Sequence, residues 1–252
     1  MARQKGLIKL KGTMGDITFY RTKDGYMARE KTSMTGERLR NDPAFQRTRE
    51  NMAEFGRAGQ AGKYLRRSFQ KMLRNVSDKR MVGRLTREMV KVIQLDKVNP
   101  RGLRNVIDGE AELLLGFEFN TGAALETILQ VPFTGTIDRV AGEGTIQIPV
   151  FHPGESITPP SGTTHFKIIS GATDINFETG EFQSTMSETA FFPVDEELSE
   201  AVQLENALPA ASPNPLFLLL GITFFQETNG AYSPLKNGAY NALQIVKVSG
   251  TP

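Results

Sequence analysis

The chain has 252 residues, 39% of them hydrophobic and 23% charged, which is the composition of an ordinary globular protein rather than of a disordered one. It contains no cysteine, and this excludes disulfides, thiolate nucleophiles and sulfur-ligated zinc. The formal net charge of +2 conceals a strong asymmetry: residues 1–107 hold 26 Lys+Arg against 10 Asp+Glu, a net of +16, and residues 108–252 hold 4 against 18, a net of −14. Opposite halves of this kind point to a polyanion partner, to a second copy docked head to tail, or to a basic domain packed on an acidic one within a single molecule.

The first sixteen residues are basic but lack the apolar run of about 7–15 residues that a secretory signal needs. The longest strongly apolar stretch, residues 215–225, is 11 residues long, against about 20 for a membrane-spanning helix. The expectation is a protein without a membrane span, located in the cytoplasm or in a released particle.

In chain order, residues 7–11, 16–21 and 26–30 alternate apolar with polar side chains and read as strands, the last two joined by a turn at 22–25 in which Asp24-Gly25 tolerates positive φ. A hairpin this small must pack on something else, and its outer edges are expected to be unpaired. Asp42-Pro43 then gives a helix cap followed by proline at the first helical position. Phe45, Met52 and Phe55 fall on one helix face. The segment 56–62 carries three glycines and reads as a break or as a place of close backbone approach. Leu65, Phe69, Met72, Leu73 and Val76 resume the helical period, Ser77-Asp78 offers a second cap, and Met81, Leu85, Met89 and Val92 form another narrow stripe that ends before Asn99-Pro100.

Beyond residue 108 the helical spacing gives way to short runs separated by Gly, Pro, Asn and Ser. The candidate strands are 113–119, 125–131, 135–140, 145–151, 164–170, 174–177, 181–186, 198–205, 216–225 and 240–248, with a proline-containing loop over 206–215. The fold class that follows is α+β: an N-terminal β-hairpin and two to three basic amphipathic helices over residues 1–107, then an antiparallel β-sandwich over 108–252, with immunoglobulin-like as one form of it. A candidate internal boundary near 151–162, rich in Pro, Gly and Ser, leaves open one sandwich or two small ones.

Catalytic signatures are sparse. Residues 56–63 superficially resemble a phosphate-binding loop, but Arg57 stands where glycine is required, and Tyr64 stands where Ser or Thr would bind magnesium. The only histidines, His152 and His165, read as ordinary surface or half-buried imidazoles rather than metal ligands. Glu178 with Glu181, or Asp195-Glu196-Glu197, read more simply as solvated faces than as an acid–base pair. We therefore expect no enzyme, no metal and no cofactor.

The basic helices are the better candidates for action. Arg47, Arg49, Arg57, Lys63, Arg66, Arg67, Lys71, Arg74, Arg84 and Arg87 recur through them, as neutralising a polyanion or an acidic protein surface would require. Phe19, Tyr20 and Tyr26 are the matching candidates in the hairpin, for packing at an interface or for stacking on bases. No helix-turn-helix, zinc-finger or RNA-recognition signature is present, so any nucleic-acid binding is expected to be blind to sequence.

Lys9-Leu-Lys-Gly-Thr-Met-Gly-Asp-Ile-Thr-Phe-Tyr-Arg21, Asn41-Asp-Pro-Ala-Phe-Gln-Arg-Thr-Arg-Glu50 and Pro160-Ser-Gly-Thr-Thr-His-Phe-Lys-Ile168 resemble segments of uncharacterised proteins from Bacteroidota. The resemblance implies a glycine-rich N-terminal segment and a Gln/Arg-bearing helix ahead of an immunoglobulin-like β portion. It implies no activity and no site residue. Taken with the charge asymmetry, the favoured expectation is a structural subunit that assembles with copies of itself into a filament, tube or shell. The alternative is a nucleic-acid-packaging protein that works through its basic helices.

Overall fold

The structure, a computed structural model, describes residues 1–31, 36–76, 78–195, 198–235 and 238–251; Ser77, read as part of a helix cap, and Glu196 and Glu197, read as part of a solvated face, lie outside them. It is a mixed α+β protein with antiparallel sheets. The chain divides into two compact units, Met1–Arg49 and Glu50–Pro252.

The first unit is a four-stranded sheet of β1 (Ala2–Arg3), β2 (Gly12–Met14), β3 (Ile17–Thr22) and β4 (Gly25–Glu30), in the order β1-β4-β3-β2. The expected hairpin is β3–β4; Thr22 Oγ1 accepts from Asp24 N at 3.2 Å and donates to Gly25 O at 3.1 Å, which fixes the turn. Neither outer edge of the hairpin is left bare, because β1 pairs with β4 and β2 with β3. Residues 7–11 are not a strand. The side-chain amide of Gln4 takes the Leu10 backbone instead, accepting from its N–H at 2.9 Å and donating to its carbonyl at 3.2 Å. Helix α1 (Gly36–Asn41) follows, and Asp42 caps a 3₁₀ turn over Pro43–Phe45 by accepting from Ala44 N at 2.9 Å.

Helix α2 (Gln46–Ser68) runs without interruption through the glycine-rich segment. Its packing face consists of small residues, Ala58, Ala61 and Gly62, with Leu65 below them. A β-carbon on Gly62 would stand 3.5 Å from the Leu85 side chain, an ordinary van der Waals contact, so this face lies directly against α4 (Met81–Gln94). The expected stripe of Met52 and Phe55 is accordingly not the buried face; both side chains are exposed. The helical path breaks at Phe69, resumes as α3 (Gln70–Leu73), and α4 buries Leu85, Met89, Val92 and Ile93. The helical segments thus outnumber the two or three expected.

The second unit holds two sheets. The smaller has the order β10-β6-β5, from β5 (Thr134–Asp138), β6 (Glu143–Ile148) and β10 (Val202–Ala207). The larger, six-stranded, is built on β7 (His165–Ile175) and β11 (Leu216–Thr228); β8 (Phe182–Glu188) and β9 (Phe192–Pro193) pair with β7, and β12 (Ala231–Pro234) and β13 (Ala242–Ser249) pair with β11.

Strand β11 shows why residues 216–224 are mainly apolar: all nine are buried, and their large apolar side chains from Phe217 on alternate between two cores. Phe217 and Leu219 point to the core shared with α2, α3 and α4. Leu218, Leu220, Ile222 and Phe224 point to the core shared with Ile146, Ile148, Val202 and Leu204 of the smaller sheet. Each such side chain contributes about 1.5–3 kcal/mol by burial. Because residues 50–107 share a core with this sheet, the division between compact units falls after Arg49, not at the charge boundary of 107/108. The stretch 151–162 likewise places Phe151 and Ile157 in the second core.

Other expectations are corrected locally. Residues 113–119 form a 3₁₀ turn over Ala111–Leu114 and a single bridge between Glu118 and Gln244. Residues 125–131 open with the short helix α5 (Leu125–Ile128), whose Leu125 N–H is held by the Glu118 carboxylate at 2.9 Å. Residues 164–170 and 174–177, expected as separate strands, belong mainly to β7, which runs straight through Gly171.

Candidate interaction surfaces

In the first unit no described residue is buried. Phe19 lies opposite Ala28, Tyr20 opposite Met27, and Arg21 opposite Tyr26. Alternation then puts Ile17, Phe19, Tyr26 and Ala28 on one face and Tyr20 and Met27 on the other. Phe19, Tyr20 and Tyr26 are half-buried, and the guanidiniums of Arg21 and Arg29 stand 5.6 Å from the Tyr26 and Tyr20 rings. Leu7, Ile8 and Met14 are 104%, 82% and 68% exposed. A shallow hollow of about 510 Å³ is lined in part by Met1, Ala2, Ile17 and Ala28.

The basic residues of the helices sort into two kinds. Three are structural. Arg49 Nη1 donates to the carbonyls of Leu39 and Asp42 at 3.0 and 2.9 Å, and Arg57 Nη1 to those of Gly102 and Arg104. Arg84 Nη1 donates to Glu118 O at 2.7 Å and Nη2 to Asp78 Oδ2 at 2.6 Å, with the guanidinium 5.1 Å from the Phe117 ring centroid. Arg87 is paired with its neighbour Glu88 at 3.0 Å, and Arg47 is exposed at the start of α2. The remaining five, Lys63, Arg66, Arg67, Lys71 and Arg74, have no ion pair among the described residues. Arg66 donates from Nε to the Gly62 carbonyl of its own helix at 3.1 Å.

Four of these five surround a concavity of about 300 Å³ at the α2–α3 break: Lys63, Arg66, Arg67 and Arg74 with Gln70, over a floor of Leu73 and Met81. No carboxylate lines it among the described residues. A second hollow of about 250 Å³, on the β8 side of the break, is lined by Arg67 and Lys71 among others. The sequence carried a signal for this cluster, since no Asp or Glu occurs between Glu54 and Asp78.

Three further features had no clear signal in the sequence. Burial pushes the Glu118 carboxyl up to about 7, with Glu126 adding to the rise, against hydrogen bonds from Leu125 N and Gln244 Nε2 and the charge of Arg84. Its Oε2 is buried without a partner. Phe191 stacks on Tyr232 with ring centroids 3.8 Å apart, and His165 meets the same tyrosine edge-on at 4.9 Å. A groove of about 580 Å³ runs beside Arg57, Tyr64, Leu103, Asp108 and Phe177. Among the described residues no three His, Asp or Glu side chains gather as a metal site would require.

Comparison with protein families, with curated proteins and with solved structures gives no match. Among the described residues no helix is long and apolar enough to cross a membrane.

Proposed function

We propose that this protein is a non-catalytic structural subunit that assembles with copies of itself, head to tail, into a filament, tube or shell. The observation that carries the reading is the N-terminal sheet, in which no described residue is buried although both faces bear aromatic and aliphatic side chains. A small sheet needs a covered apolar face to hold its structure in water.

The opposite charge of the two portions supports a second copy as the cover. The unit Met1–Arg49 holds 12 Lys+Arg against 5 Asp+Glu, a net of +7, while residues 108–252 carry −14. Each molecule therefore offers a basic apolar sheet and an acidic β portion. A contact between unlike surfaces repeats without closing on itself unless its rotation happens to close a ring. The finer reading of the acidic portion as a sandwich belongs to this proposal, supported by the core that β11 shares with β6 and β10. So does a location in the cytoplasm or in a released particle. The resemblance of the first fifty residues to Bacteroidota proteins brings no activity with it.

Deleting residues 1–31 tests the reading. The truncated protein should stay monomeric where the full chain assembles, while the two cores of Glu50–Pro252 keep their cooperative unfolding. Assembly by the truncated chain at full-length efficiency would remove the N-terminal sheet from the account. The alternative reading, nucleic-acid packaging, is favoured by the unpaired cations around the α2–α3 break.

A further inference from the structure

We propose that the concavity at the α2–α3 break binds the phosphodiester backbone of nucleic acid without regard to sequence. Exposed cations on a helix are ordinarily dispersed among acids, and α4 shows that pattern, with Arg87 and Lys91 both paired to Glu88. The stretch from Phe55 to Val76 departs from it: six cations, Arg57, Lys63, Arg66, Arg67, Lys71 and Arg74, and not one carboxylate. Arg57 is occupied by backbone carbonyls, which leaves five. Lys63, Arg67, Gln70 and Arg74 follow the i, i+4, i+7, i+11 spacing of a single helix face, and all four line the hollow beside the break at Phe69.

The dimensions suit a chain of phosphates better than a compact anion. The eleven steps from Lys63 to Arg74, at about 1.5 Å each, give an array of about 16 Å. The phosphates of one strand of a duplex recur every ~3.4 Å along the axis, so the array faces about four or five of them. Arginine presents two parallel N–H donors to phosphate oxygens, and three of the four lining cations are arginine. Leu73 and Met81 supply an apolar floor beneath the sugar edge. The polar groups of the hollow are cations and one glutamine, and contacts from cations to phosphates carry no sequence information.

The test is fluorescence anisotropy of the full chain with two labelled 20-base-pair duplexes of unrelated sequence, at 50–300 mM salt. Four cations at about 0.9 per phosphate predict a slope of log affinity against log salt near −3.6, equal for both sequences. Replacing Arg66, Arg67 and Arg74 together with glutamine should bring the slope to about −0.9 and lower the affinity at 100 mM salt by at least tenfold. Lys97→Gln, an exposed cation away from the hollow, should leave the slope unchanged. If the triple variant does not fold, as judged by its circular dichroism and melting curve, Arg74→Gln alone should still reduce the slope by about 0.9. The proposal is overturned if the wild type binds neither duplex at 50 mM salt, or if the slope survives the substitutions. It is equally overturned if the substitutions spare duplex binding and lower only the mass of the protein's own assemblies, because the cations then face acidic protein.

Discussion

Asp78 Oδ2 accepts from Arg84 Nη2 at 2.6 Å, and the side chains of the two are only 9% and 22% exposed. The pair joins the turn before α4 to the segment that follows it, since Arg84 also holds the Glu118 carbonyl and Asp78 also accepts from Thr121 Oγ1. Burial pushes the Asp78 carboxyl up, but hydrogen bonds from Arg80 N, Arg84 and Thr121 N outweigh it and hold the group at about 2. Its folded value is below the ordinary 3.8, so its contribution to stability is complete above that value and is lost as pH falls toward about 2. Asp78→Ala strands a mostly buried guanidinium and should cost about 2–3 kcal/mol at neutral pH, read from urea unfolding.

Glu118 gives the opposite dependence. Its carboxyl, raised to about 7 by burial, is held protonated in the folded protein over a range in which the unfolded chain has released the proton. That contribution is fully present below about 4.5 and is lost as pH rises through about 7. The melting temperature of Glu118→Gln should therefore exceed that of the wild type at pH 8 and approach it at pH 5, because glutamine keeps an acceptor for Leu125 N without a charge to bury. Parallel melting curves for the two proteins across this range would show that Glu118 does not titrate as described.

Arg139 is the single arginine of residues 108–252, and its hydrogen bonds go to carbonyls and a hydroxyl. It donates to the carbonyls of Ser212, Asn214, Ser249 and Gly250 and to Ser249 Oγ, drawing the chain before β11 and the end of β13 together. Arg139→Lys keeps the charge but loses the planar fork, and should cost about 2–3 kcal/mol in urea unfolding. A loss below about 0.5 kcal/mol, the scale of an ordinary surface substitution, would contradict this role.

The sequence made some of this legible and hid the rest for physical reasons. The long, mainly apolar run at the start of β11 marks a strand buried on both faces, and the Asp24-Gly25 turn marks the β3–β4 hairpin. Helix α2 misled because its packing face is made of Ala58, Ala61 and Gly62. An apolar periodicity looks for large side chains and so selected Met52 and Phe55. Residues 113–119 and 125–131 carry strand-like composition, but the Glu118 carboxylate takes the Leu125 N–H and starts a helical turn instead. Residues 164–170 and 174–177 read as separate strands, but β7 passes unbroken between them; a β-carbon on Gly171 would stand 2.5 Å from Met72 Sδ, so the glycine makes room for the helices.

In the basic cluster, the sequence could not separate Arg49, Arg57 and Arg84 from the other cations. The carbonyls that occupy Arg57 lie 45 and 47 residues away in the chain. What it did carry was the absence of acid around Lys63, Arg66, Arg67, Lys71 and Arg74.

The central claim, self-assembly of unlike charged surfaces, is tested most directly by the mass of the nuclease-treated full chain in light scattering at 50 and 500 mM salt. Attraction between exposed charges is screened within roughly 10 Å at about 0.1 M ionic strength and more closely at higher salt. The account predicts particles many times the 27.8 kDa of one chain at low salt, dissociating toward that mass at high salt. A mass of 27.8 kDa at both salt concentrations, over a hundredfold range of protein concentration, would contradict it.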